Sequence, residues 1–197
     1  TINTVRMNRL LYSLIVFPFS LLPLKCLMVL RPLLFVVLYH LVGYRKKVVL
    51  LNLTRSFPSD TPAQIKEKAK AFYWHLSTVF IEAVKNLSFS ADALRSRITY
   101  TNPALIHELH AKGKNILLVG GHYGNWEWGA LSPGLYIEGF NIIGFYKPLS
   151  NPYIDKFMRK NRSRTGTTLA SIYETPNTFE QNKDIPSVYI MAADQSP

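Results

Sequence analysis

The sequence predicts an α/β domain with a mostly parallel sheet and helices on both faces, preceded by an apolar helical segment. Two observations lead to this prediction: short apolar runs alternate with amphipathic stretches in the second half, and a long uncharged run lies near the amino terminus. Short apolar strands that alternate with helices are typical of parallel sheets. We expect a membrane-associated helical segment over residues 1–43 and the α/β domain over residues 44–197.

The composition excludes several classes of protein. The chain has 197 residues, of which 48% are hydrophobic and 13% aromatic, which is too apolar for a disordered or collagen-like protein. Cys26 is the single cysteine, so neither an internal disulfide nor a cysteine-based metal cluster can form. We expect no metal and no cofactor.

Positive charge is concentrated in the apolar first third of the chain. The formal net charge is +11, and the first acidic residue is Asp60. Basic residues beside apolar sequence are attracted to anionic lipid headgroups, by roughly 1 kcal/mol each. A nucleic-acid-binding surface more often places its basic residues on a polar face among aromatic side chains. We therefore expect a membrane surface as a partner and no nucleic acid. The basic residues before Asp60 are Arg6, Arg9, Lys25, Arg31, Arg45, Lys46, Lys47 and Arg55.

The apolar segment allows two arrangements in a membrane. Residues 10–24 carry no charge, and apolar sequence resumes over residues 26–42, interrupted only by Arg31. Each piece is shorter than the ~20 residues that a spanning helix needs, and three prolines would kink or end helices. One arrangement is a single tilted span in which Lys25 or Arg31 reaches the interface. The other is a shallow helical hairpin in one leaflet, which the cations at both ends favour.

The next part of the chain predicts two helices. Ser59-Asp60-Thr61-Pro62 opens a long helix with a capping box between Thr61 and Gln64. A second helix begins at Asn102-Pro103 and ends at Gly113. Apolar residues of the long helix recur every three to four positions and predict one buried stripe: Ile65, Ala69, Phe72, Leu76, Val79, Ala83 and Leu87.

Strands and helices then alternate to the end of the chain. Strands are predicted at residues 115–119, 140–145, 168–172 and 188–192, and helices at residues 125–135, 151–160 and 176–181. We expect the first of these strands to be buried. Because the sequence stops directly after the last strand, we also expect a carboxy-terminal part to be missing.

One strand–turn–helix segment carries the candidate catalytic residues. Residues 116–128 read ILLVGGHYGNWEW, so His122 follows two glycines and Glu127 comes five positions later. Positions five apart on a continuous helix are rotated by ~140° from each other. The two side chains can therefore face one spot only if His122 lies in the turn and Glu127 in the first turns of the helix. Glycines allow such a turn, and the helix amino terminus favours developing negative charge.

This arrangement suits general-base catalysis without a serine or cysteine nucleophile. A sugar or glycerol hydroxyl must lose its proton as it attacks a thioester. His122 can accept that proton, while Glu127 fixes the tautomer and stabilises the imidazolium. A zinc site fits less well, because the metalloprotease helix has His-Glu-x-x-His spacing. The other helical histidines, His75, His107 and His110, are better interpreted as helix-surface or packing residues.

Several motifs resemble those of the bacterial lipid A biosynthesis acyltransferases. The run from Gly121 to Glu127, GHYGNWE, is similar to the His-x4-Asp/Glu signature of this family. Lys147 stands where the family usually has arginine. The resemblance extends from about Leu10 to the last residue. Further similar segments are Tyr44-Arg45 with Asn52-Leu53 and Ser56-Phe57-Pro58, Phe145-Tyr146-Lys147-Pro148 with Asn151, Arg162-Ser163-Arg164-Thr165-Gly166, and Asp194-Gln195-Ser196-Pro197.

The resemblance implies an enzyme on the cytoplasmic face of the bacterial inner membrane. Such enzymes move a fatty acyl chain from acyl carrier protein to a hydroxyl of a lipid A precursor without a cofactor, and acyl-CoA is the alternative donor. By position, His122 would be the base and Glu127 its partner. In this resemblance the arginines would stabilise charge and Asn125 would hold the turn. The residues for which it suggests substrate-binding roles are Arg164, Arg162, Asn125, Gly121 and Lys147.

Two other functions stay open from the sequence. One is an acyltransferase of the same family that acts on another membrane lipid, such as an aminoacyl or mannosyl lipid, because dispersed pocket residues set the choice of acceptor. The other is a non-catalytic membrane-binding scaffold that kept the fold.

Overall fold

The computed structural model of the protein describes residues 12–194. The chain divides into two compact units, of which one is Val16–Lys85 and the other contains the residues from Asn86 onwards. The predicted boundary between residues 43 and 44 stays a prediction. The predictions for Arg6, Arg9 and the first residues of the apolar run, and for the last three residues, lie outside the described residues.

The helical unit, Val16–Lys85, begins with three short helices. They are α1 (Phe17–Leu21), α2 (Leu24–Met28) and α3 (Arg31–Val36), with π-helical turns at Tyr12–Val16 and Val37–Leu41. The three prolines lie at or just before the beginnings of these helices. Pro18 and Pro32 lie in the first turns of α1 and α3, where proline is tolerated, and Pro23 precedes α2.

Two longer helices, α4 (Lys46–Ser56) and α5 (Pro62–Lys85), complete this unit. The predicted capping box at the start of α5 is confirmed. The backbone N–H of Thr61 donates to Oε1 of Gln64 at 2.8 Å, and the N–H of Gln64 donates to the Thr61 hydroxyl at 3.4 Å.

The predicted buried stripe of α5 is only partly right. Ile65, Ala69 and Val79 are buried, but Phe72 is exposed, and Tyr73 is buried in its place. The Tyr73 hydroxyl donates to the carbonyl oxygen of Tyr44. A buried tyrosine that finds a hydrogen-bond partner contributes a large apolar contact without leaving a polar group unpaired, so packing has rotated the buried face by one position.

No helix within residues 12–194 is both long enough and apolar enough to cross a membrane. The apolar membrane anchor that the sequence predicted is therefore not supported by the described residues. Large apolar side chains are nevertheless exposed along the first helices, among them Leu21, Val29, Leu33 and Leu41.

The α/β unit, from Asn86 onwards, contains a four-stranded parallel sheet, as predicted. Its strands are β1 (Ile116–Gly120), β2 (Asn141–Tyr146), β3 (Thr168–Ser171) and β4 (Ser187–Ala192). They lie in the order β1-β4-β2-β3, and every neighbouring pair is parallel. Although β4 comes last in the sequence, it lies inside the sheet, between β1 and β2.

Two helices of this unit precede β1, and the others connect the strands. They are α6 (Ala91–Arg95), α7 (Pro103–Ala111), α8 (Trp126–Leu131), α9 (Pro133–Tyr136), α10 (Pro152–Ser163) and α11 (Thr175–Gln181), with a 3₁₀ turn at Ile172–Glu174. The predicted helices correspond to α7, α8 with α9, α10 and α11, whereas α6 was not predicted. The sequence predicted one helix over residues 125–135, but Pro133 divides it in two.

The sheet has helices on both faces. Val188 is fully buried and packs with Ile142 and with Ile106 of α7. Its neighbour Tyr189 points to the opposite face, because successive strand residues alternate, and its ring lies 4.3 Å from that of Phe179 in α11. The predicted α/β architecture is thus confirmed for this unit.

Strand β1 is an edge strand, so the prediction that it is buried is wrong. Leu117 and Val119 are 54% and 58% exposed, whereas Ile116 and Leu118 pack against the core. The apolar composition of the run is typical of a buried parallel strand, and composition alone does not reveal whether a strand has one neighbour or two.

Close backbone packing at Gly134 gives a stability test. A Cβ built there would lie 1.8 Å from the carbonyl oxygen of Thr165, whereas a Cβ at Gly129 would meet nothing within 4 Å. We expect Gly134→Ala to lower the free energy of unfolding by about 1–3 kcal/mol, the range typical of overpacking. Gly129→Ala, within α8, should be neutral or stabilising by up to about 1 kcal/mol. Urea unfolding of both variants measures the difference, and equal stabilities would contradict the packing.

Candidate functional site

His122 and Asp194 form a two-point contact at the ends of two neighbouring strands. Nδ1 of His122 donates to Oδ1 of Asp194 at 2.7 Å, and the backbone N–H of His122 donates to Oδ2 at 2.8 Å. The side chains remain 32% and 40% exposed. An ionised carboxylate can only accept hydrogen bonds, so this contact selects the tautomer with the proton on Nδ1. Nε2 is then the ring nitrogen with a free lone pair.

Sheet register explains why these residues meet. In the parallel pair β1–β4, Gly120 lies opposite Ala192, and the N–H of Ala193 donates to the carbonyl of Gly120 at 2.9 Å. The residues that follow both strands leave the sheet at the same edge. A Cβ at Gly121 would lie 3.3 Å from the Asp194 side chain, so glycine lets that carboxylate approach the backbone closely.

A tight turn then leads from His122 into α8. Gly124 has a φ of +59°, a conformation that glycine adopts readily. The side chain of Asn125 caps the helix by accepting a hydrogen bond from the N–H of Trp128 at 3.2 Å. The Trp126 ring packs edge-on against the His122 ring, with centroids 5.4 Å apart. Asn125 therefore caps the helix that follows the turn, and its predicted substrate-binding role stays a prediction.

Glu127 and Arg162 form a mostly buried ion pair. Nε of Arg162 donates to Oε2 of Glu127 at 3.1 Å, and Nη2 donates to Oε1. The Arg162 side chain is 24% exposed and the Glu127 side chain is 12% exposed. Glu127 lies in the first turn of α8 and Arg162 in the last turn of α10, so each charge also interacts favourably with its own helix dipole.

The direct pairing of His122 with Glu127 that the sequence predicted needs correction. The structure gives the Nδ1 contact to Asp194, and the Glu127 carboxylate accepts its hydrogen bonds from Arg162. Asp194 lies in one of the segments that resemble the family, but the resemblance did not assign it a role. The sequence did contain a signal for this contact. Asp194 follows a predicted strand, as His122 does, and the carboxyl ends of parallel strands meet at one edge of the sheet.

The remaining candidates differ in their surroundings. Partial burial lowers the pKa of the Arg164 guanidinium, which remains charged at any physiological pH. Lys147 follows β2 on the surface. Nε2 of His110 lies 3.0 Å from the carbonyl oxygen of Gly139, a packing role rather than a metal-binding one. Within residues 12–194, no group of three or more histidine, cysteine or acidic side chains is arranged to hold a metal ion.

The His122–Asp194 contact is suited to proton transfer. The hydrogen bond from the His122 ring, followed by that from its backbone N–H, holds the pKa of the Asp194 carboxyl below its ordinary value. A carboxylate that stays ionised stabilises an imidazolium beside it. The pair can therefore accept a proton at Nε2 and return it, while Asp194 keeps the ring oriented.

The sequence matches the model of a known protein family. The sequence model of a family described as bacterial lipid A biosynthesis acyltransferase matches residues 4–192, nearly the whole chain. A search of curated protein sequences finds no significant match.

The depressed pKa of Asp194 can be measured. We expect its carboxyl to titrate below the ordinary aspartate value of about 3.9. Because the folded pKa is lowered, the contact stabilises the fold above the ordinary value, and this contribution is lost as the pH falls through the folded pKa. In His122→Ala the pKa should rise toward the ordinary value. NMR of ¹³C-labelled aspartate carboxyls reads this out, with His107→Ala as the control that leaves Asp194 unchanged. An Asp194 titration that is the same in all three proteins would contradict the contact.

Proposed function

Since the chain belongs to the family of bacterial lipid A biosynthesis acyltransferases, we propose that it moves a fatty acyl chain from acyl carrier protein to a hydroxyl of a lipid A precursor. His122 acts as the general base in this proposal. The observation that carries it is the two-point contact between His122 and Asp194, which leaves Nε2 of a partly exposed imidazole available to a substrate.

This geometry supports a direct transfer of the acyl group from the thioester to the hydroxyl. Nε2 accepts the proton of the acceptor hydroxyl as its oxygen attacks the thioester carbon. The carbon–sulfur bond then breaks, the imidazolium returns its proton to the departing thiolate, and an ester and a free thiol result. Asp194 stabilises the imidazolium between these steps, and general-base assistance of this kind contributes ~10²–10⁴ in rate.

Glu127 acts through Arg162 in this proposal. A guanidinium held by two hydrogen bonds to a carboxylate has a fixed orientation, and its remaining N–H groups can face developing negative charge. Glu127 is then a positioning residue, and Arg162 stabilises the oxyanion with Arg164 as a second cation. The pairing observed in the structure supports this division of roles over direct assistance of His122 by Glu127.

We also propose that the helical unit attaches the protein to the cytoplasmic face of the bacterial inner membrane. Val29, Leu33 and Leu41 are 75%, 62% and 73% exposed. The described residues before Asp60 include basic side chains and no acidic ones. Exposed apolar side chains with cations beside them are typical of helices that lie in the headgroup region.

Acyl transfer to a lipid A precursor tests the proposed base. We expect His122→Ala to lower kcat by about 10²–10⁴, because the variant lacks the imidazole that accepts the hydroxyl proton in this proposal. Asp194→Asn should lower kcat by about tenfold or more, since the amide can present the wrong hydrogen-bonding group to Nδ1. The assay uses acyl carrier protein thioester as donor and detects the product lipid by mass spectrometry.

His107→Ala is the matched control for these variants. His107 lies exposed on α7, so its replacement removes an imidazole without touching the site and should leave kcat unchanged. Near-normal turnover by folded His122→Ala protein would refute the proposed base. If Asp194→Asn kept full activity while Glu127→Gln lost it, Asp194 would not be the residue that orients the His122 ring, and Glu127 would be assigned that role.

Vesicle flotation tests the proposed attachment. We expect the triple variant Val29→Gln, Leu33→Gln, Leu41→Gln to bind anionic vesicles at least about tenfold more weakly, because full burial of one large apolar side chain contributes about 1.5–3 kcal/mol.

The control for flotation changes three exposed apolar residues of the α/β unit, Leu105→Gln, Tyr173→Gln and Ile185→Gln. Vesicle binding of this control should match that of the unchanged protein. Equal losses in both triple variants would contradict a membrane-facing role that is confined to the helical unit.

A further inference from the structure

A basic groove lies along α10, separate from the contact between His122 and Asp194. It has a volume of about 600 Å³. Its lining consists mainly of Lys156, Arg159, Lys160 and Ser163 from the helix, with Pro148 and Leu149 from the preceding loop.

The helical spacing explains how the groove forms. Lys156, Arg159, Lys160 and Ser163 are separated by three, one and three positions, so they share one face of α10. Arg162 lies outside this face, at the flank from which it reaches Glu127. The same rigid helix thus presents one cation to the candidate site and three to the groove.

The groove keeps a net positive charge, because its lining has three cations and one carboxylate. None of the ion pairs in the described part of the chain involves Lys156, Arg159 or Lys160. Asp155 also lines the groove, but its carboxylate accepts hydrogen bonds from the N–H of Leu149 at 2.8 Å and from the Tyr146 hydroxyl at 3.4 Å.

These hydrogen bonds join Asp155 to the loop that precedes α10. The Arg159 guanidinium lies over the Tyr146 ring, 5.9 Å from its centroid. Three unpaired cations around a concave surface form a site for an anion.

We propose that the basic groove binds a phosphomonoester group carried by the acceptor lipid. Ammonium, guanidinium and hydroxyl donors match the oxygens of a phosphate, which carries close to two negative charges at neutral pH. A volume of about 600 Å³ suits a phosphorylated headgroup, and the apolar surface of Pro148 and Leu149 can pack against its sugar ring. The identification of the ligand as the acceptor rests on the proposed function, whereas the binding of phosphate does not.

Binding measurements with two phosphomonoesters test the groove. The soluble probe is glucose 1-phosphate, followed by isothermal titration calorimetry, and the lipid probe is phosphatidic acid in dodecyl maltoside micelles. We expect the groove variant Lys156→Gln, Arg159→Gln, Lys160→Gln to bind at least about tenfold more weakly, since each unit of neutralised charge contributes to the affinity. Lys156→Gln alone should give an intermediate loss and serves if the triple variant does not fold.

A matched control removes the same amount of charge elsewhere on the α/β unit. Lys112→Gln, Lys114→Gln, Lys183→Gln alters exposed lysines, of which Lys112 and Lys183 form only surface ion pairs. This control should bind both probes within about twofold of the unchanged protein, because none of its three lysines lines the groove. Nonspecific attraction falls equally in the two triple variants, so the difference between them reports binding in the groove.

The outcomes separate the alternatives. Groove-dependent binding of phosphatidic acid alone supports a lipid-linked phosphate, and binding of both probes supports recognition of the phosphate itself. Equal affinities of the groove variant and the control overturn the proposal, as does equal groove-dependent binding of phosphatidylglycerol, a phosphodiester. Loss of binding to acyl carrier protein with unchanged phosphate binding would assign the groove to an acidic protein instead. The probes need no turnover, so His122→Ala protein should bind them normally even if the proposed catalysis fails.

Discussion

Parallel hydrogen bonding between β1 and β4 determines where the polar groups of the candidate site lie. The two strands are far apart in the sequence, and their register places Gly120 beside Ala192. The backbone then leaves the sheet at one edge, where the His122 ring and backbone both bond to Asp194. A shift of one residue in this register would turn every side chain to the other face of the sheet. The geometry of the imidazole is therefore a consequence of strand pairing as much as of the turn that carries it.

The buried ion pair between Glu127 and Arg162 connects this edge to the rest of the α/β unit. Taking two charges out of water is costly, and their attraction offsets the cost only when the hydrogen bonds are well made. Here two hydrogen bonds join the side chains, and both helix dipoles favour the arrangement. The pair fixes the start of α8 relative to the end of α10. It thereby relates the turn that holds His122 to the helix that carries the basic groove.

Local signals in the sequence predicted the elements well, and tertiary context decided what they missed. Capping residues and prolines located the helix boundaries because their effects act within a few positions. The exposure of β1 and the burial of Tyr73 depended on neighbours distant in the chain. The partner of His122 was misassigned for the same reason, since Glu127 lies close in sequence whereas Asp194 becomes a neighbour only through the sheet.

The position of β1 at the sheet edge has a consequence for the behaviour of the chain in solution. One side of this strand has no neighbouring strand in the sheet formed by the described residues, and Leu117 and Val119 are exposed on it. An open apolar edge can recruit a strand from another molecule. Lys114 stands two residues before the strand, and its charge would repel the same charge on an approaching copy. Self-association through this edge should consequently increase with ionic strength, as counterions screen that repulsion.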